Sequence, residues 1–181
     1  MNVHPHIEPE LAEWIAKQKI FFVGSAPLSS EGHVNISPKG GEAFRVLGPL
    51  EVAYQDYTGS GAETAAHVRE NGRIVIMFCA FEGGPKIVRL HGKAELLTPG
   101  HPEFADMMAR FPENPGTRAI FHIKVDRVTD SCGFSVPFFD FKEHRETLDK
   151  WSENQGPQKI LEYRAKKNVR SIDGLPAFDV P

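Results

Sequence analysis

The sequence predicts a mainly β fold of the α+β class: an antiparallel barrel with short peripheral helices. Three observations carry this. Six or so runs alternate apolar with polar residues or are rich in β-branched and aromatic types, as strands are. The helical patterns between them are brief, which argues against the regular crossovers of a βαβ sheet. After Pro137 the composition turns polar and helical, a change of character from the strands before it.

Pro9 to Lys17 reads as a leading helix, because proline suits the first turn and Leu11, Trp14 and Ile15 share a face. Ile20 to Gly24 is a strand, and Ser29 to Gly32 a hairpin turn. His33 to Ser37 returns as a strand that Pro38-Lys39-Gly40-Gly41 should break. Phe44 to Leu47 is a short extended piece, and Glu51 to Tyr57 alternates as the next strand. A helix over Ala62 to Glu70 stops at Asn71-Gly72, as a C-cap should. Arg73 to Phe81 is apolar and β-branched, a central strand; Lys86 to Leu97 is a long alternating one. His101 to Phe111 reads as a helix and Arg118 to Asp130 as the last strand. Helices over Phe141 to Glu153 and Gln158 to Asn168 flank Gln155-Gly156-Pro157, and the tail is irregular. This divides the chain into a barrel domain, 1–140, and a helical extension, 141–181, packed on the barrel or on a dimer partner.

The bulk numbers restrict function. A chain of 181 residues suits one core. The net charge of −3 offers no basic excess for a nucleic-acid backbone. The two cysteines, Cys79 and Cys132, form no C-x-x-C pair and read as reduced thiols. The first ten residues lack the basic-then-apolar pattern of a signal peptide, and the longest apolar run, Ile74 to Phe81, cannot span a bilayer. The expectation is a cytoplasmic protein without membrane or nucleic-acid partners. The eight histidines show no metal-ligand spacing, and there is no nucleophile elbow. His67 lies one helical turn after Glu63, which predicts an ion pair.

One turn stands out: Thr58-Gly59-Ser60-Gly61, between a strand and a helix. Its glycines let backbone approach a ligand closely or take positive φ. The helix start offers unpaired N–H groups and a positive dipole end, which suits a phosphate. The competing reading is that Ser60 and Glu63 form a capping box and the glycines only make the turn. A phosphate would draw on nearby cations; the candidates are Lys39, Arg45, Lys86 and Arg89. Cys132-Gly133 ends the last strand, where a glycine beside a thiol leaves room for a flat cofactor or simply packs small.

The ordered pieces resemble the pyridoxamine 5′-phosphate oxidase-like, FMN-binding split-barrel family. The residues that carry this are Asn35-Ile36-Ser37-Pro38-Lys39-Gly40, Asp56-Tyr57-Thr58-Gly59-Ser60-Gly61-Ala62-Glu63-Thr64, Asn71-Gly72-Arg73-Ile74 and Arg89-Leu90-His91-Gly92-Lys93. The resemblance implies a six-stranded antiparallel split β-barrel and a homodimer with FMN at the subunit interface. It implies that Asn35, Ser37 and Lys39 contact the flavin and that Thr58, Gly59, Ser60 and Thr64 hold the phosphate. It places Lys86 and Arg89 on a later strand that reaches the cofactor, with Cys132 and Gly133 near the ring. One departure matters: the oxidases carry an Arg-Lys pair just after the loop serine, where this chain has Gly61 and Ala62. Their substrate-gripping C-terminal Arg/His segment is also missing. Vitamin B6 phosphate is therefore not the expected substrate.

The reading that follows is an FMN-binding flavoprotein oxidoreductase acting on a small organic substrate or a nicotinamide donor, its catalytic residues unassigned. The alternative is a split-barrel module that holds flavin or haem without turnover, with His91 or His122 as an axial ligand.

Overall fold

A computed structural model describes residues 1–180. The elements in chain order are β1 (Asn2–His4), α1 (Pro9–Ala16), β2 (Ile20–Ser25), β3 (Asn35–Gly40), β4 (Phe44–Gly48), β5 (Glu51–Tyr57), α2 (Glu63–Asn71), β6 (Arg73–Cys79), β7 (Ile87–Leu97), α3 (Phe104–Met108), β8 (Thr117–Ser131) and α4 (Thr147–Lys167). Among the described residues, eight strands form one antiparallel sheet in the order β3-β2-β6-β7-β8-β5-β4, with β1 paired to β8.

Side-chain alternation gives this sheet one buried face. β2 buries Phe21 and Val23, β6 buries Ile76 and Phe78, and β5 buries Tyr54. These rings meet across the interior, although β2 and β4 are far apart in strand order: Phe21 lies 5.1 Å from Phe44 and 5.7 Å from Tyr54, centroid to centroid. The two ends of the sheet thus wrap around one apolar core, the split barrel expected from the sequence. Leu11 and Ile15 of α1 and Ala65, Ala66 and Val68 of α2 close the same core. A second cluster joins Met107 and Phe111 to Ala53, Leu97 and Ile120 on the other face.

Two glycines are required by the backbone. Gly72 takes φ of 73° as the C-cap of α2. Gly92 of β7 faces a bulge in β8, where a Cβ would lie 2.1 Å from the carbonyl oxygen of Lys124.

The structure corrects four local expectations. Pro38 does not break its strand: β3 runs through it, paired with Phe22, because an edge strand tolerates a missing N–H. The helix expected from His101 shortens to α3. Residues 139–146 are irregular, and one helix, α4, continues across Gly156, whose φ of 70° and ψ of 169° interrupt it. His67 makes no pair with Glu63; it is fully buried and its Nδ1 lies 2.9 Å from Ser25 Oγ. Cys79 is a buried free thiol and Cys132 an exposed one. No helix among the described residues is long and apolar enough to cross a membrane.

Candidate functional site

The site is built where β5 ends and α2 begins. Asp56, the penultimate residue of β5, points into the barrel and is 2% exposed. Lys39 from β3 donates to Asp56 Oδ1 and Arg118 from β8 donates to Oδ2, each at 2.7 Å. Burial pushes the Asp56 carboxyl up, but these two cations outweigh it and hold it below the ordinary carboxylate value. The arrangement pins three strands at one end of the barrel.

The chain then turns through Thr58 to Ala62. The Thr58 amide and hydroxyl both donate to the carbonyl of Gly116, at 2.7 and 2.8 Å. Arg118 reaches on to the carbonyls of Gly59 (3.3 Å) and Gly61 (2.8 Å). Two further donors arrive from the far end of the chain. Arg164 of α4 donates to Thr58 Oγ1 at 2.9 Å, to Thr117 O at 2.9 Å and to Gly116 O at 3.3 Å. Asn168, the C-cap of α4, donates to Gly59 O at 2.7 Å. Burial, and then the repulsion of Arg118, lower the pKa of Arg164.

The Ser60–Glu63 capping box does not form: Ala62 is the N-cap, with no side-chain cap hydrogen bond. Glu63 accepts instead from its own N-cap amide at 3.0 Å and from the Ile172 amide at 3.3 Å. Neither Gly59 nor Gly61 takes positive φ. A Cβ on Gly59 would meet nothing within 4 Å, whereas one on Gly61 would crowd Glu63 Oε2 at 2.9 Å.

Beside this turn lies a groove of about 1720 Å³. The barrel wall includes Ser37, Lys39, Tyr57, Gly59, Thr64 and Arg118; residues 139–145 and the first turns of α4 form the facing wall. Tyr57 lines it with its hydroxyl bonded to Gln55 Oε1 at 2.9 Å. Burial, reinforced by Asp149, pushes its pKa up to about 12, so the phenol stays protonated.

The structure brings together part of the residue set read from the sequence. Ser37, Lys39, Thr58, Gly59 and Thr64 line the groove. Asn35 stands behind them and bridges Ser37 Oγ (3.1 Å) and Thr64 Oγ1 (3.0 Å). Ser60 is at the exposed crest of the turn. Lys86, Arg89, Cys132 and Gly133 are not among the lining residues: Lys86 lies over the Trp14 ring, Arg89 donates to Ser131 Oγ, and Gly133 packs on Lys86 and Ile87. Arg45 is held by the carbonyls of Glu42, Phe44 and Arg110. His91 and His122 do not line the groove either, and His122 bonds Glu51.

Asp56, Arg118, Arg164 and Asn168 escaped the sequence reading as site residues. Asp56 and Arg118 left a trace, each a charge beside an apolar strand core. Arg164 and Asn168 left none, because their partners lie about a hundred residues away.

Known proteins share both the sequence and the geometry. Residues 7–132 match the family model described as pyridoxamine 5′-phosphate oxidase. An Aspergillus flavus protein, the pyridoxamine 5′-phosphate oxidase family protein ustO, is 39% identical over 191 aligned positions, covering 95% of this chain and 76% of that protein. The chain belongs to the pyridoxamine 5′-phosphate oxidase family. Two solved structures share the fold of this family member. A Lactobacillus delbrueckii protein described as a candidate pyridoxamine 5′-phosphate oxidase superposes with a TM-score of 0.55 at 16% identity, over 71% of this chain and 99% of that one. Group A Streptococcus HupZ superposes with a TM-score of 0.54 at 23% identity, over 74% and 99%. The family model ends at residue 132, so Arg164 and Asn168 lie beyond it, within a chain that the fungal relative matches almost throughout.

Proposed function

We propose that the groove holds FMN, its phosphate at the Gly59-Ser60-Gly61 turn, and that the chain is a flavoprotein oxidoreductase acting on a small organic substrate or a nicotinamide donor. The observation that carries this is a charge imbalance beside open space. At the turn itself, Lys39 and Arg118 share the single buried carboxylate of Asp56 and Arg164 stands behind them on Thr58 Oγ1, although the groove as a whole is lined by more carboxylates than cations. The one other carboxylate at the turn, Glu63, is taken up by backbone amides. An anion beside Gly59, where an added methyl would meet nothing within 4 Å, would balance the surplus.

The residues present fit the group. The amides of Gly59, Ser60 and Gly61 donate to no protein acceptor among the described residues, so they are available to phosphate oxygens. Ser37, Lys39 and Thr64 would face the rest of the molecule. A bound flavin supplies the electron transfer; the chain binds it, orients it and keeps water from part of the groove. The protonated Tyr57 hydroxyl holds its proton across the physiological range. The same reading includes a homodimer with a second copy completing the cofactor site, since Lys86, Arg89, Cys132 and Gly133 stand outside the groove of their own chain.

The test is an absorption spectrum of the purified protein, with mass spectrometry of whatever it releases. Flavin bands and the mass of FMN are expected. A Soret band would replace this reading with a haem-binding one. A colourless chain that takes up no flavin on titration would refute it.

A further inference from the structure

We infer that the C-terminal helix and tail position the phosphate turn, with Arg164 and Asn168 as positioning residues that set the preference for the phosphorylated over the unphosphorylated flavin. This rests on the flavin reading above.

The peptide planes of the turn are fixed from one side. The Gly59 carbonyl is held by Asn168 and Arg118, and the Gly61 carbonyl by Arg118. There are no cis peptides among the described residues, so the amide that follows each carbonyl points the opposite way. Fixing the Gly59 carbonyl therefore aims the Ser60 N–H away from the clamp, with no protein acceptor among the described residues to consume it. Two glycines flanking Ser60 would otherwise leave this turn many conformations, and ordering it on binding would cost affinity. Arg164 fixes the root of the turn, because one guanidinium ties Thr58 Oγ1 to the carbonyls of Gly116 and Thr117.

The tail adds independent contacts to the same region. The Phe178 ring lies 4.6 Å beneath the Arg118 guanidinium, and the Phe178 amide donates to the Asn168 carbonyl. The Ile172 amide holds Glu63, and Arg69 of α2 donates to the Ala177 carbonyl. Residues 164–178 thus hold the turn from behind and leave the Ser60 amide on the side away from the clamp.

The test compares the full chain with Arg164→Met, Arg164→Lys and Asn168→Ala. Hydrogen exchange of the cofactor-free protein reads the turn directly. The amides of Gly59 to Gly61 should exchange about tenfold faster in Arg164→Met, while those of Ile76 and Leu90 stay as protected as before. FMN should bind about tenfold more weakly and riboflavin, which lacks the phosphate, equally well. Arg164→Lys should recover part of both losses. If Arg164→Met fails to fold, Asn168→Ala carries the same readouts, since it removes one hydrogen bond. Unchanged exchange at the turn overturns the inference. Equal losses for FMN and riboflavin overturn it too, because a merely structural role weakens both. A wild-type chain that takes up no FMN refutes the flavin reading instead, and the exchange arm then decides the clamp alone.

Discussion

The Lys39 ammonium sits 2.7 Å from the Asp56 carboxylate, and this contact ties the edge strand of the barrel to the strand that leads into the Gly59 turn. With Arg118 on the other oxygen, Asp56 is the hub of the site. Asp56→Asn keeps the shape but leaves two cations facing a neutral amide in a buried place. Breaking such a cluster costs about 3–5 kcal/mol, so the variant should unfold at lower urea. Inorganic phosphate should restore more stability to the variant than to the wild type, because it supplies the missing charge. The wild type should also lose stability in acid. The folded-state pKa of Asp56 is depressed, so its contribution is full above the unfolded value of about 3.9 and is lost as pH falls below it. Urea titrations at several pH values check both outcomes.

Gly59 separates folding from binding. Its φ is not positive and a methyl there meets no atom within 4 Å. Gly59→Ala should therefore fold with stability within about 0.5 kcal/mol of wild type. The same methyl would enter the space proposed for the phosphate, where overpacking costs about 1–3 kcal/mol, or about tenfold or more in Kd. Thermal melts of the cofactor-free chain and FMN titrations read the two effects separately. Equal FMN affinity in the two proteins would place the phosphate elsewhere.

His67 gives the fold a second pH dependence. The ring is fully buried, Nδ1 lies against Ser25 Oγ, and Nε2 has no partner among the described residues. Burial lowers its pKa, so the folded state holds it neutral. A base with a depressed folded pKa leaves stability intact above its unfolded value, about 6.5. Stability then falls as pH drops below that, since the unfolded chain takes up the proton first. His67→Gln should flatten this limb between about pH 6.5 and 5 while Asp56 still governs the stronger acid. Chemical denaturation across that range is the measurement; an unflattened limb assigns it to another group.

What the sequence makes legible follows from range. The extents of α1, β5 and β7 and the Gly72 C-cap rest on period and turn chemistry, and they are seen within a residue or so. The strand through Pro38 is hidden, because only its place at the sheet edge excuses the proline. Residues 141–146 carry the start of a helical pattern, yet they are irregular and tertiary contacts tie the chain there: the Phe139 amide donates to Phe81 O and the Phe141 amide to Glu82 Oε1. The glycine turn is visible as a turn, but its bracing by Arg164 is a contact across 106 positions that no local pattern encodes.

The irregular stretch from residue 132 to residue 146 should be the first part of the chain that a protease cuts. Residues 139–145 are tethered by a few contacts: the two amides above, the Phe139 ring 5.3 Å from the Phe81 ring, a His144 ring nitrogen against the Gly41 amide, and the Phe141 ring beneath Lys19. Phe134 and Phe138 are about four-fifths exposed, at 81% and 80%, whereas the phenylalanines of the barrel core are buried. Segments with few buried contacts open at low free-energy cost and are cut first. Chymotrypsin should cleave after Phe134 or Phe138 before any site in residues 20–131, and mass spectrometry of the first fragments will locate the cut. If FMN fills the groove, its far wall at residues 139–145 gains contacts and the cut should slow in proportion to site occupancy. First cleavage inside the barrel strands would contradict the loose tethering of this wall.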